Sequence, residues 1–215
     1  MGGGRRWAVS TSLALVASDG SAPQALREAA RADQCETLAD ALATAAEPAV
    51  TTALLALEAE VVVSEPEGEA AQPLAELLTM TGAVRAEAGR ELSAVIVGEE
   101  AGRGSVGSVY REGVGCGVAV QAAAVDGAIE AVTIALWGAA PHPIRARQVE
   151  GTLRGRRVSV SLLEDAVATL RSEVQPRGQG RVVEEAALLE IERVGAEALR
   201  AIFRPTIPAR GRETT

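Results

Sequence analysis

The hydrophobic pattern is sharpest over residues 117–147, GVAVQAAAVDGAIEAVTIALWGAAPHPIRAR. Gly117–Val125 and Ala128–Trp137 read as strands. Asp126-Gly127 between them is a strong hairpin signal, because both turn positions take positive φ. In the second strand Val132, Ile134 and Leu136 share one face, while Ile129, Ala131, Thr133 and Ala135 share the other. Larger residues on one face and small ones on the other predict a sheet covered by closely packed helices. Pro141 and Pro143 stop the strand, and Pro143 suits the first position of a helix running to about Leu153 and ended by Gly155. Ser161 with Glu164 has the spacing of a capping box for a second helix, with Leu163, Ala166, Val167, Leu170 and Val174 as its apolar face. After a turn at Pro176–Gly180, a last helix over about Val183–Phe203 carries Ala187, Ile191, Val194, Ala198 and Ile202 at helical spacing. Glu190 and Arg193 can pair on its outer side. Pro205 ends it, and 208–215 read as disordered.

The first half is less regular. Trp7–Ser10 reads as a short strand and Thr11–Ala17 as a helix opened by a hydroxyl cap and ended by Asp19-Gly20. Ser21 and Gln24 have capping-box spacing, Pro23 falls in the first turn, and Leu26, Ala29 and Ala30 form the buried face. The Ala-rich stretch 35–47 favours helix by propensity. Pro48 opens a nearly all-apolar helix, Ala49–Leu57, predicted to be buried. A strand over Ala59–Val63 turns at Glu65-Pro66-Glu67-Gly68 and returns as Glu69–Pro73. A helical turn at Leu74–Leu78 and a strand at Leu92–Val97 follow. The Gly-rich stretch 98–107 marks an expected domain boundary, and Ser108–Arg111 a short strand after it.

Composition narrows the functional classes. The chain has 215 residues and is 47% hydrophobic but only 2% aromatic, so its core is built from Ala, Val, Leu and Ile. A formal net charge of -8 disfavours nucleic acid and anionic membrane surfaces as partners. No apolar run approaches the roughly 18–20 residues of a membrane span. Arg5 and Arg6 precede an apolar run, but Ser10, Thr11 and Ser12 interrupt it, and the segment reads as an ordinary helix. Cys35 and Cys116 lack metal or dithiol spacing and fit reduced thiols in a cytoplasmic protein.

Few residues suggest chemistry. The single histidine, His142, lies between two prolines without a nameable partner, and loop packing is the default reading. Cys116 reads as packing at a strand start. Gly102, Gly104 and Gly107 with Arg103 fit no phosphate-loop pattern and read as a linker. Glu65, Glu67 and Glu69 read as a solvated turn. No nucleophile–base set, carboxylate pair or metal-ligand spacing stands out.

The hairpin and its exit carry a family resemblance. Ala135–Ala146 reads ALWGAAPHPIRA. It resembles the run of ALGGVAPTPVRA type in the C-terminal domain of the flavoprotein (medium) subunit of molybdenum hydroxylases, the carbon monoxide dehydrogenase and xanthine dehydrogenase family. The Pro-x-Pro-x-Arg-Ala core matches, and the helices follow in the family's order. Upstream, Ala53–Val63 resembles the family's buried helix and strand, and 7–32 the segment before its second flavin motif.

The resemblance implies an α+β fold. A truncated FAD-binding-domain remnant of PCMH type would cover 1–100, and a flavoprotein C-terminal-like domain with about three antiparallel strands and packed helices 105–205, followed by a disordered tail at 206–215. It implies FAD as cofactor, held by two Gly-rich loops. The first, of AGGTDL type, belongs upstream of the segment that resembles 7–32 and is absent from this sequence, so the chain reads as N-terminally truncated. The second, of TIGGN type, aligns with Thr37, Leu38, Ala39, Asp40 and Ala41, and the motif's later Asp aligns near Val50. Tyr110 falls where the family brings residues near the flavin ring. The residues themselves argue otherwise over 35–47. Ala39 and Asp40 remove the glycines' positive-φ freedom, and Asp40 would set a carboxylate beside a diphosphate, so the stretch reads better as helix. The implied function is a flavoprotein-type oxidoreductase subunit. It would pass electrons from iron–sulfur centres through FAD to an acceptor, with a molybdopterin-binding large subunit and a 2Fe-2S small subunit as partners. The alternative is a flavin-free structural or assembly subunit that docks through the C-terminal domain.

Overall fold

The computed structural model describes residues 4–44, 48–79, 83–86, 90–99, 108–113, 116–138, 140, 142–174 and 185–203, with backbone alone at 108–113 and 185–187. The stretch 100–107, the 176–180 turn and the tail from 204 lie outside them.

Strand β1 (Gly4–Ala8) leads into helices α1 (Leu13–Ser18), α2 (Gln24–Ala32), α3 (Leu38–Ala43) and α4 (Ala49–Ala56). The hairpin β2 (Glu60–Glu65) and β3 (Gly68–Pro73) follows, then α5 (Leu74–Leu77) and β4 (Glu91–Gly98). These strands form an antiparallel sheet in the order β1-β4-β2-β3. The second sheet runs β5 (Ser108–Gly113), β6 (Cys116–Val125), β7 (Ala128–Trp137) and the two-residue β8 (Ile144–Arg145), all antiparallel in chain order. Helices α6 (Arg147–Leu153), α7 (Val160–Val174) and α8 (Glu185–Phe203) complete the α+β fold.

The β6–β7 hairpin forms as its turn demands. Asp126 and Gly127 have φ of 51° and 77°, the paired positive values of a two-residue turn. Both faces of this sheet are buried. Val118, Val120, Val132, Ile134 and Leu136 join α6, α7 and α8 in one core. Ala119 and Ala135, on the opposite face, belong to a second core with the buried residues of α2 and α4 and with Val61, Val95 and Val97 of the first sheet. Alanines there let α4 pack against β6 and β7, and every residue of α4 is buried. This is the division into large and small faces that the pattern predicts, with one correction. Ile129 lies on the large-residue face, because the register shifts so that Ala123 pairs with Ala131 and Ala124 with Ile129. The extra residue, Glu130, is a bulge that reverses the alternation before it.

Three helix starts differ from expectation. Ser21 does not cap α2; its hydroxyl and N–H bond Asp19 Oδ1 at 2.5 and 3.0 Å instead. Those two bonds, with Arg5, hold the Asp19 carboxyl below the usual carboxylate range. Helix α7 is capped by Ser159, whose Oγ accepts from Leu162 N at 3.1 Å, two residues before the expected Ser161. Pro143 does not open a helix. Ile144 and Arg145 first pair with Leu136 and Ala135, and α6 begins only at Arg147.

That short pairing places a buried ion pair. Arg145 donates from Nε and Nη2 to both oxygens of Glu150, at 2.8 and 2.9 Å. Glu150 Oε1 also accepts the backbone N–H of Ile134 at 2.8 Å. Arg145 Nη1 reaches Glu58 Oε1 at 3.0 Å. Glu58 follows α4 with φ 50°; its N–H bonds Leu55 O and the next N–H bonds Leu54 O, a helix end of Schellman type with a non-glycine at the left-handed position. Burial works against the Arg145 charge, but the two carboxylates prevail and hold its pKa above the ordinary arginine value. The bridge thus ties the end of α4 to β8, α6 and β7.

Replacing Glu150 leaves a guanidinium that is only 13% exposed with the exposed Glu58 as its remaining carboxylate, and orphans the Ile134 N–H. Glu150→Ala is expected to lower unfolding free energy by about 3 kcal/mol in urea titration. A change within error of zero would mean that the bridge is not a stability determinant.

Candidate cofactor site

Residues 37–41 sit where α3 begins, against the chain segment that leaves β1. Thr37 pairs with Ser12 in an isolated bridge. The helix starts here because Thr37 and Asp40 cap it reciprocally. Thr37 Oγ1 accepts from Asp40 N at 3.2 Å, and Asp40 Oδ2 accepts from Thr37 N at 3.1 Å and from the Thr37 hydroxyl at 2.7 Å. A Thr-x-x-Asp spacing is visible in the sequence and is the signal by which this cap can be found.

The backbone donors of the segment are all engaged within the chain. Thr37 N donates to Asp40, Leu38 N to Thr11 O at 3.1 Å, and Ala39 N to Val9 O at 2.8 Å. Asp40 N donates to the Thr37 hydroxyl oxygen, and Ala41 N to Thr37 O at 3.1 Å. A diphosphate is held by free backbone N–H groups that converge on it. Here the groups diverge to separate internal acceptors, and the carboxylate of Asp40 stands at the helix start. Among the described residues no cation pairs with Asp40. The residues at 37–41 do not fit the diphosphate of FAD.

The next helix start is treated similarly. Pro48 gives α4 no side-chain cap. Asp33 faces it from a distance: Oδ1 accepts from Cys35 N at 3.0 Å, and Oδ2 lies 3.5 Å from Val50 N, a long contact. Val50 is the position aligned with the family motif's later Asp, so a carboxylate is present there but comes from 17 residues upstream. No periodicity or spacing in the sequence points to Asp33. The same residue acts on the neighbouring thiol. Burial, then Asp33, pushes Cys35 above the ordinary cysteine range, which keeps it protonated near neutral pH.

The other candidates separate from this segment. Tyr110 lies in β5 and pairs in register with Ala119 of β6. Cys116 is buried in the C-terminal core, and Cys35 and Cys116 form no disulfide among the described residues. His142 is half-buried, with no group of metal-ligating side chains around it among the described residues. Glu65 and Glu69 form ion pairs with Arg90 and Arg6, at 3.2 and 2.7 Å. An open cleft of about 530 Å³ lies between β1, β4 and the start of α2, lined by Arg5, Trp7, Ser21 and Gly98 among others. Arg5 in this lining is already engaged: it pairs with Asp19 at 2.7 Å and lies 5.3 Å over the Trp7 ring.

Comparison with known proteins agrees with the fold. Residues 113–185 match the family model of the CO dehydrogenase flavoprotein C-terminal domain, so that segment is a domain of this family. Across the whole chain the fold is similar to that of chains in solved CO dehydrogenase and quinoline 2-oxidoreductase structures. A chain of the carbon monoxide dehydrogenase from Hydrogenophaga pseudoflava, in the form lacking the Mo-pyranopterin moiety, superposes with TM-score 0.74 at 19% identity, over 94% of this chain and 78% of that one. A chain of reconstituted CO dehydrogenase from Oligotropha carboxidovorans gives 0.74 at 19%, covering 93% and 75%. A chain of quinoline 2-oxidoreductase from Pseudomonas putida 86 gives 0.75 at 15%, covering 96% and 77%. At these identities the likeness concerns the fold. A search of curated proteins finds no match.

The reciprocal cap carries a stability consequence. Thr37→Ala removes the oxygen that accepts Asp40 N and is expected to cost about 1 kcal/mol in urea unfolding. An unchanged midpoint would show that the cap is not formed in solution.

Proposed function

We propose that this chain fills the flavoprotein-subunit position of a molybdopterin-dependent hydroxylase or dehydrogenase complex, beside a molybdopterin-binding large subunit and a 2Fe-2S small subunit. The observation that supports it is the match of residues 113–185 to the CO dehydrogenase flavoprotein C-terminal domain, which spans the β6–β7 hairpin, β8, α6 and α7. The fold shared with CO dehydrogenase and quinoline 2-oxidoreductase chains extends that support to the first sheet and its helices. Among the described residues no helix is long and apolar enough to cross a membrane, which is compatible with a cytoplasmic complex.

In this reading the chain contributes a rigid docking body. Its C-terminal sheet is covered on both faces, and the Arg145 bridge fastens α4 to that sheet, so a partner meets one preformed surface. Family membership of one domain is an analogy for function, and the complex itself is the test.

The experiment is affinity purification of the tagged chain from its source cells, with molybdenum and iron measured in the eluate. Both metals and two further subunits are expected to co-elute in constant ratio to the chain through size exclusion. Elution as a metal-free species at the size of the chain alone would overturn the reading.

A further inference from the structure

We infer that this chain has replaced the bound anion of its fold by two of its own carboxylates, and so holds no flavin dinucleotide at residues 33–44 and 48–50. The inference rests on the proposed function only in naming FAD as the group displaced. The hydrogen-bond pattern stands independently.

Three observations carry it. First, each of the five backbone N–H groups from Thr37 to Ala41 has an acceptor inside the chain: Thr37 and Asp40 of the cap itself for three of them, and Thr11 O and Val9 O after β1 for the Leu38 and Ala39 donors. An incoming diphosphate would have to strip the Leu38 and Ala39 donors from Thr11 O and Val9 O, which fasten α3 to the segment after β1. Burying those carbonyls without donors is unfavourable in its own right. Second, Asp40 is part of the cap. Its Oδ2 accepts two hydrogen bonds from Thr37, so the carboxylate is held at the helix start rather than swung aside. A negative charge fixed there favours the helix and repels a phosphate. Third, the start of α4 faces the Asp33 carboxylate, which is itself pinned by Cys35 N. Both helix starts in this stretch therefore meet an internal anion. The cation nearest the Asp33 cluster, Arg31, lines the open cleft beside Asp33 and Cys35 but donates to Ala17 O at 3.0 Å, at the end of α1.

The consequence concerns electron flow. A complex that contains this chain would not pass electrons through a flavin seated on this segment. In this reading the Asp40 carboxylate caps α3 and the Asp33 carboxylate faces the start of α4 without cofactor.

The test uses the full-length chain and two probes, FAD and inorganic pyrophosphate, read by thermal unfolding and by equilibrium dialysis, with circular dichroism confirming the folded state. A ligand present at about 100 times its Kd raises the Tm of a chain this size by about 5–10 °C. Neither probe is expected to shift Tm by a measurable amount, and FAD retained after dialysis should be far below one per chain. Near-stoichiometric flavin absorption, or a Tm rise of that size with FAD, would overturn the inference. The second arm is acid-released flavin in the co-purified complex, expected to be far below one per chain; a ratio near one, traced to this subunit by separating it before release, also overturns it. Loss of the metals in purification would defeat the complex and leave the dialysis result standing, so the two readings fail separately.

Discussion

The constraint on which the rest of the structure depends is the burial of both faces of the β6–β7 hairpin. A sheet with one wet face tolerates any small polar residue there, but a sheet between two helix layers must match each layer in volume. Val118, Val120, Val132, Ile134 and Leu136 fill the side under α6, α7 and α8. Ala119 and Ala135 leave room for α4, whose own residues are all buried. With 2% aromatic residues the chain has few large rings to fill a gap, so contact is made by bringing backbones close. The same closeness recurs at Gly195, where an added Cβ would collide with Leu170 Cδ1 between α7 and α8. Packing of this kind specifies the position of every helix that touches it.

The Arg145 bridge adds direction to this non-directional packing. Hydrophobic contact sets how far α4 lies from the sheet. The three hydrogen-bonded groups Glu58, Arg145 and Glu150 set where its end falls along the sheet. Glu58 accepts a left-handed backbone to take part, a conformation that glycine would adopt more readily. The Pro-x-Pro-x-Arg-Ala run, the part of the sequence most like a known family, is therefore structural at its arginine: it carries the guanidinium into a buried carboxylate rather than toward a substrate.

What could be read from the sequence follows the range of the interactions involved. The hairpin turn at Asp126-Gly127 and the buried helix after Pro48 depend on neighbours a few residues away, and both stand as the pattern implies. The Thr37–Asp40 cap is equally local and was obscured by the family alignment, which directs attention to missing glycines rather than to the Thr-x-x-Asp spacing. The bulge at Glu130 was not legible, because an alternating run gives no sign of where its partner strand shifts register. Nor was β8: Ile144 and Arg145 become a strand only through Leu136 and Ala135, and the two prolines before them equally suit a helix start. Asp33 meeting Val50, and Val9 and Thr11 meeting Ala39 and Leu38, are contacts between elements that only the fold brings together.

Those last contacts bear on how a fold and a cofactor site can part company. The fold is held by some two dozen buried residues in each core, and losing one or two leaves the topology intact. A diphosphate site has no such redundancy, since it consists of a few N–H groups that must be both close and unpaired. Once Ala39 and Asp40 stand where glycines would let the backbone turn toward a ligand, the same N–H groups find acceptors on Val9, Thr11 and Thr37, and helix α3 gains a cap. Each of these bonds stabilises the unliganded chain, so on the inference drawn above the loss of the site would be offset by the cap that takes its place. A family fold can thus persist at 15–19% identity over more than nine-tenths of the chain while the segment aligned with its cofactor motif turns to purely internal bonding.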